Sequence, residues 1–262
     1  MDLGLDMTPV PGTARTSTPG ALLFAAAAVL YNSWLLEFLL PTGLDPRHSY
    51  VSELYAADQP YRPLFGAIES GCAVLVVPAA VLAYGRAAGR WVRMGRPALV
   101  GFGLSSLADV LLPMRCAPSR EPGCEPVHLW HTVTSALAHF FLFASMALLS
   151  HAAAAEGAEL PLIRRWGPRV LAVALLTALC TVGPLLGHPG WHGIPQRLHL
   201  LLVGAWFALL AAESARNRTG IGNHTGTGTG IGTRIGTGTS TAGCPGVRTT
   251  DPDDTAGPFH RT

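Results

Sequence analysis

Six ionisable side chains lie within strongly apolar stretches of this sequence, and they are the residues best placed to carry chemistry. Each costs roughly 2.5–3.5 kcal/mol near the centre of a membrane helix on insertion scales, so such residues commonly mark function. Carboxylates and imidazoles in this setting can coordinate a metal, relay protons or act as acid–base catalysts. The six are Glu37, Glu69, Asp109, His131, His139 and His199.

Their positions along the apolar stretches predict that most of these groups gather near one membrane face. Asp109 lies five residues before Met114, about 7 Å from the boundary at 1.5 Å per residue. Asp45 followed by Pro46 is a favourable helix start, so RHSYVSELYAA is predicted to form a short helix lying over the bundle. The predicted outward-facing polar pocket consists of Ser52, Glu53, Glu69, Asp109, His131, Arg197 and His199.

The elements that position these residues are predicted to be transmembrane helices. The chain is 49% hydrophobic and only 13% charged, whereas a soluble domain carries about 25% charged residues. Since about 20 apolar residues cross the hydrocarbon core of a bilayer, we predict an all-α, polytopic bundle of six transmembrane helices. The segments run from Ala21 to Leu40, Leu64 to Tyr84, Pro97 to Met114, Val127 to Ser150, Arg169 to Leu186 and Pro195 to Glu213.

The chain divides into three predicted regions. Residues 1–19 are rich in Pro, Thr and Gly and are predicted to be a disordered lead-in, while residues 20–216 form the six-helix transmembrane domain. Residues 217–262 contain a Gly-Thr repeat with too little apolar surface to offset its ordering entropy, so a disordered tail is predicted.

Arginines predict the orientation of the helices. They cluster after the second segment, before the fifth and after the sixth, whereas the opposite side has fewer arginines, interspersed with acidic residues. The positive-inside rule therefore predicts a multi-pass protein of the cell membrane with both termini cytoplasmic. Cys116 and Cys124 then lie in an outer loop, eight residues apart, where a disulfide is predicted.

The overall charge indicates which partners to expect. The net charge of +2 argues against nucleic acid, because phosphate binding needs a concentrated basic face. Membrane lipid is the expected partner, and a homo-oligomer is left open. All basic residues are arginine, which is typical of a GC-rich bacterial genome.

Four motifs, in order, resemble a known family. They are HSYVSEL after the first segment, LADVLLP closing the third, HLWHTVTSALAHF opening the fourth and GWHGIPQRLH opening the sixth. This order and spacing resembles a bacterial family of six-helix integral membrane proteins, the domain of unknown function 998. The resemblance covers Ala21 to Arg216. It implies the fold and the membrane location and carries no established activity.

One alternative interpretation is a metal-dependent membrane hydrolase acting on a lipid-like substrate. Asp109, His131 (or His128) and His199 could hold zinc and leave a position open for water. Glu53 or Glu69 would then act as the general base. This arrangement is similar to that of membrane hydrolases related to alkaline ceramidases, although those have seven helices and a paired histidine motif in the last one.

Two further interpretations stay open at this level. Glu69, Asp109 and His139 could form the relay of a small proton-coupled transporter, although no inverted repeat is evident. Alternatively, Asp109, His131 and Arg197 could form an interhelical network that only fixes helix packing. Glu37, near the outer end of its helix, is predicted to be exposed at the interface.

Overall fold

The computed structural model describes residues 18–83, 89–155, 160–188 and 190–222. All of them belong to the first of two structural units of the chain, residues 1–226, and the second unit, residues 227–262, lies outside the described residues. The predicted lead-in and tail therefore fall almost wholly outside them. The first helix nevertheless begins at Thr18, and the last continues to Gly222.

The described part of the chain contains six α-helices and no strand. This confirms the predicted all-α fold. Four spans are long and apolar enough to cross a membrane: Pro19–Phe38, Arg62–Leu82, Leu129–Ala155 and Gly193–Arg216. The helices are α1 (Thr18–Tyr31), α2 (Arg62–Leu82), α3 (Arg90–Leu111), α4 (Leu129–Ala155), α5 (Pro161–Leu179) and α6 (Gly193–Gly222).

The helices form a closed ring. Each packs against the next in the chain, and α6 returns to pack against α1. Successive helices run in opposite directions, so the ring has two ends. The "arginine end" contains the start of α1 and the arginines of α3 and α5, and the "loop end" contains the connections 32–61, 112–128 and 180–192.

The arginine end has a filled core. Phe24, Leu99, Trp206 and Phe207 are almost completely buried there, and the rings of Phe24 and Phe207 stack with their centroids 6.5 Å apart. Burying a large apolar side chain contributes about 1.5–3 kcal/mol relative to leaving it exposed. This cluster therefore holds the ring together, and the open space lies at the other end.

The third helix begins earlier than its apolar segment predicts. The predicted start was Pro97, but α3 begins at Arg90. Arg96 explains the extra turns, because its guanidinium donates hydrogen bonds to the carbonyls of Ala80 and Val81 at the end of α2. The charged turns thus belong to the folded helix, where they bond to the carbonyl oxygens that the end of α2 leaves without helical partners.

The first apolar segment is interrupted. The α-helix ends at Tyr31, and a 3₁₀ helix continues from Ser33 to Phe38. Between them, the Asn32 side chain donates a hydrogen bond to the carbonyl of Ala28 at 2.9 Å. Gly204 on α6 makes room for this side chain, because a Cβ at Gly204 would collide with it.

Residues 45–55, in the connection between α1 and α2, are named the cap. The predicted short helix starts later than the sequence indicates: the Asp45 carbonyl closes a turn by accepting the N–H groups of His48 and Ser49, and a 3₁₀ helix then runs over Val51–Tyr55. Asp45 does act as a local acceptor, because its side chain accepts the N–H of Arg47 at 3.0 Å.

Candidate functional site

The loop end of the ring contains a partly open cavity of about 390 Å³ that is lined by residues of all six helices and roofed by the cap. Ala136 on α4 and Leu175 and Leu179 on α5 line this cavity and are also exposed. The cavity therefore approaches the outer surface of the bundle between α4 and α5. Most of the remaining surface combines aromatic and aliphatic groups with a few buried polar groups.

Five of the seven predicted pocket residues line this cavity: Ser52, Glu69, Asp109, His131 and His199. They come from the cap and from four different helices, so the ring brings together residues that are far apart in the sequence. The other two, Glu53 and Arg197, are buried outside the cavity wall. Both hold the cap in place.

Asp109 is the most heavily bonded group in the cavity wall. Its Oδ1 lies 2.6 Å from the Thr134 hydroxyl and 2.8 Å from the Ser135 hydroxyl, both on α4. The Tyr55 hydroxyl, from the cap, donates to Oδ2 at 2.9 Å. His131 Nδ1 lies 3.2 Å from Oδ1 but outside hydrogen-bond geometry. Three hydroxyl groups thus surround the carboxyl group of a residue that is only 7% exposed.

Glu69 lies on α2, near Asp109, and the two carboxyl groups interact electrostatically across the cavity. The Ser106 hydroxyl on α3 lies beside the Glu69 carboxyl group. Tyr31, at the end of α1, lies near both carboxyl groups and packs against Phe102 with ring centroids 6.1 Å apart. This side of the cavity therefore combines two acids with aromatic rings.

Two stacked histidines line another part of the cavity. The ring centroids of His139 and His199 lie 5.0 Å apart. His139 Nδ1 is 2.7 Å from the Ser135 carbonyl, and His199 Nδ1 is 3.1 Å from the Ala174 carbonyl. Because a carbonyl only accepts, each Nδ1 carries a hydrogen, so the lone pair of the uncharged imidazole is at Nε2. His199 Nε2 is buried without a hydrogen-bond partner.

Glu53 fastens the cap to the loop between α3 and α4. Its Oε1 accepts the N–H of Tyr50 at 2.8 Å, and its Oε2 accepts the N–H and the hydroxyl of Ser119 at 3.0 and 2.6 Å. Burial raises the pKa of this carboxyl group, and the hydrogen bonds oppose that shift. The cap is also joined to the connection after α5 and to α6, because the Tyr50 hydroxyl donates to the Thr181 carbonyl and the Gln196 side chain accepts the N–H of Val51.

Arg197 fastens the cap to the helices below it. Its guanidinium forms two hydrogen bonds of 2.6 Å with Glu37 and donates to the carbonyls of Pro46, Ser49 and Gly193. The predicted exposure of Glu37 is wrong, since this residue is 5% exposed. The predicted contact of Arg197 with Asp109 is also wrong, because Glu37 and three carbonyls occupy the guanidinium. A buried arginine needs such partners, and the 3₁₀ helix after α1 supplies the carboxylate.

Cys116 and Cys124 form the predicted disulfide, with their Cα atoms 6.0 Å apart. His128 Nε2 lies 3.7 Å from the Cys124 sulfur. Within the described part of the chain, these three residues form the one group whose potential metal-ligand atoms all lie within 4.8 Å of one another. The disulfide occupies both sulfurs, so neither is a thiolate ligand.

The residues predicted as zinc ligands are not brought together in the same way. Asp109 and His131 are neighbours, but with His199 they do not form a group within that distance. The wall also contains polar groups that sequence reasoning missed, namely Tyr31, Tyr55, Ser106 and Ser135. Ser135 lies one helical turn after His131, on the same face of α4, so helical spacing could have pointed to it.

A closed ring of helices, with four spans able to cross a bilayer and an internal cavity at one end, defines a polytopic integral membrane protein with a pocket. The chain matches the family described as "Protein of unknown function (DUF998)" over residues 24–213. It belongs to that family, as the resemblance of its motifs predicted. No curated protein and no solved structure matches the chain.

Proposed function

We propose that this protein binds a lipid-like amphipathic molecule in the loop-end cavity. The observation that carries the proposal is a cavity of about 390 Å³ in which buried polar groups face aromatic and aliphatic walls. Ligand pockets commonly have volumes of about 300–1,000 Å³, with mostly apolar linings and a few placed polar groups. Membrane lipid is the natural source of such a molecule, because the cavity lies within a bundle surrounded by it.

The test uses fluorescence quenching in the purified protein. Trp34 lines the cavity, so a bound alkyl chain carrying bromine should quench its emission. The quenching should saturate in wild type and be lost in a Trp34→Phe variant, whose remaining tryptophans report binding elsewhere. Quenching of equal depth in both proteins, or no saturation, would count against the proposal.

A substitution that fills the cavity provides the matched control. Ala138 on α4 is buried and lines the cavity, whereas Ala154 on the same helix is exposed. Ala138→Phe should abolish saturable binding, and Ala154→Phe should retain it. Equal binding by the two variants would place the amphiphile outside the cavity.

The proposed orientation puts the arginine end in the cytoplasm and the cavity near the outer face of the cell membrane. The positive-inside rule supports it, because the described arginines of α3 and α5 lie at the arginine end. The disulfide at the loop end supports it as well, since disulfides persist in oxidising compartments. A fluorescent protein fused to the C-terminus should fluoresce, whereas an alkaline phosphatase fusion there should be inactive; the reverse pattern would invert the orientation.

The metal-dependent hydrolase and the proton-coupled transporter have less support. For zinc, the obstacle is the separation of His199 from Asp109 and His131. Elemental analysis of the purified protein decides the matter. Stoichiometric zinc that is lost in both Asp109→Asn and His199→Ala would replace the proposal with the hydrolase.

A further inference from the structure

The carboxyl groups of the cavity wall are hydrogen-bond acceptors, while Trp34 Nε1 is a buried donor without a partner. Asp109 accepts hydrogen bonds from hydroxyl groups, and His131 Nδ1 lies 3.2 Å from its Oδ1. No arginine lines the cavity among the described residues. The buried guanidinium of Arg197 is bonded to Glu37 and backbone carbonyls. In the described part of the chain, neither acid is therefore paired with a guanidinium, and His131 is the titratable base beside Asp109.

A second observation points the same way. His199 is 1% exposed and lines the cavity, and its Nδ1 is bonded to the Ala174 carbonyl. The Nε2 lone pair is therefore an acceptor, and it is buried without a partner. A buried acceptor left unpaired costs about 1–3 kcal/mol. A ligand that donates a hydrogen bond would remove this cost, and one that only accepts would not.

The rings beside the two carboxyl groups also favour a positive charge. Tyr31 lies close to both acids, and Phe102 and Trp34 line the same cavity. The faces of aromatic rings attract cations, with a contribution of about 0.5–2 kcal/mol depending on desolvation. Carboxylates and aromatic faces together are a setting in which an ammonium group is bound in preference to a carboxylate or a phosphate.

We propose that the ligand of this cavity is an amphipathic amine, whose ammonium group binds beside Asp109 and Glu69 and whose apolar chain lies along the aliphatic wall. An ammonium group supplies up to three donors and no acceptor, which matches the acceptors of this wall. Its charge also relieves the repulsion between the two acids. This inference rests on the proposed function and specifies the head group of the ligand.

The test compares three amphiphiles with the same chain and different head groups: dodecylamine, dodecanol and dodecanoic acid. Each is titrated at pH 7 against the purified protein, and displacement of the brominated quencher from Trp34 is measured. We expect dodecylamine to bind at least ten times more tightly than dodecanoic acid, with dodecanol between them. Equal or tighter binding of the acid would overturn the inference and leave the cavity's role intact. Failure of all three to displace the quencher would overturn the proposed function itself.

Two variants and one control test whether Asp109 and Glu69 cause the preference for the amine. Asp109→Asn and Glu69→Gln should each reduce the ratio of amine to alcohol affinity by about tenfold or more, while dodecanol binding persists. Glu125→Gln removes a carboxylate at the same end of the molecule, one that is exposed and paired with Arg115 outside the cavity. It should leave the ratio unchanged. An equal fall in Glu125→Gln, or amine binding that persists unchanged in Ala138→Phe, would mean that the amine binds at the surface and would overturn the inference.

Discussion

The cap and the cavity wall beneath it both contain buried carboxyl groups, yet these groups have different partners. In the cap region, Glu37 pairs with the Arg197 guanidinium, and Glu53 accepts two backbone N–H groups as well as the Ser119 hydroxyl. In the cavity wall, Asp109 accepts hydrogen bonds from hydroxyl groups, and Glu69 lies beside the Ser106 hydroxyl. The first pair closes the loops over the bundle, and the second pair faces open space.

This difference distinguishes a buried carboxyl group that stabilises the fold from one that can bind a ligand. A guanidinium or a backbone N–H only donates, so the NH₂ group of an amide cannot replace the carboxylate oxygen that accepts from it. A hydroxyl group can donate or accept and can turn when its partner changes. The cap acids should therefore be intolerant of conversion to amides, while the cavity acids should tolerate it and lose selectivity instead. Four predictions test this contrast.

The largest expected effect is that of Glu37→Gln. The change leaves the Arg197 guanidinium buried without a counter-charge, and breaking a buried ion pair from one side costs about 3–5 kcal/mol. Equilibrium unfolding in mixed detergent micelles measures the loss. The exposed pair of Arg115 and Glu125 gives the reference, since removing a surface pair costs only about 0–1 kcal/mol. Equal losses of unfolding free energy in Glu37→Gln and Glu125→Gln would show that the buried ion pair stabilises the fold no more than the exposed one.

Glu53→Gln should have an intermediate effect. Both oxygens of Glu53 accept N–H groups, from Tyr50 and Ser119, and an amide would turn an NH₂ group toward one of them. One unmatched buried contact costs about 1–3 kcal/mol. The same unfolding measurement applies, with proteolysis near residues 45–55 as a second readout of a loosened cap. Wild-type stability together with wild-type proteolysis would mean that this carboxylate does not hold the cap.

Asp109→Asn should destabilise the fold by no more than about 1 kcal/mol, because the hydroxyls of Tyr55, Thr134 and Ser135 can reorient around an amide. The expected loss is in binding of the amine. A fall in stability as large as that of Glu37→Gln would show that Asp109 is a structural anchor and would remove the distinction between the two sets of acids.

The smallest expected effect is a pH dependence of the cap. His192 is 7% exposed and packs on Tyr50 with ring centroids 4.3 Å apart. Burial lowers its pKa, and nearby His48 and Arg197 lower it further. Because the folded form disfavours protonation, its contribution to stability is complete above the ordinary histidine pKa of about 6.5 and is lost as the pH falls below it. Midpoints of thermal unfolding from pH 7.5 to 5 should fall more steeply in wild type than in His192→Phe. Parallel slopes would show that His192 does not titrate with unfolding.

The apolar segments of the sequence predict most of the fold. Helices α2 and α4 lie close to their predicted segments, because a long apolar run in a membrane has few alternatives to a helix, whereas α6 continues past its predicted end at Glu213 to Gly222. The break after Tyr31 could not be predicted, since SWLLEF is still mostly apolar. The break depends on the Asn32 side chain and on the space beside Gly204, which is a property of packing between α1 and α6.

The sequence predicts the depth of the site residues in the membrane, but it does not predict how each helix is rotated about its own axis. Counting residues places Asp109 and His199 near one membrane face, which is enough to expect them at the same end. It does not say which way each helix turns, so a network of Arg197 with Asp109 stays open as one alternative, whereas the partner of Arg197 is Glu37, 160 residues away in the chain. The hydroxyl partners of Asp109 carry no charge and give no hydropathy signal, so nothing in the composition distinguishes them.

The exposed cavity residues between α4 and α5 have a consequence for how affinity must be measured. Ala136, Leu175 and Leu179 line the cavity and are exposed, so the cavity approaches the outer surface of the bundle there. A ligand that enters from this side comes from the bilayer, so its relevant concentration is a mole fraction in lipid rather than a molarity in water. Occupancy at a fixed total amount of amphiphile then falls as vesicles are added. Dissociation constants for this protein are comparable only when the ratio of amphiphile to lipid is stated.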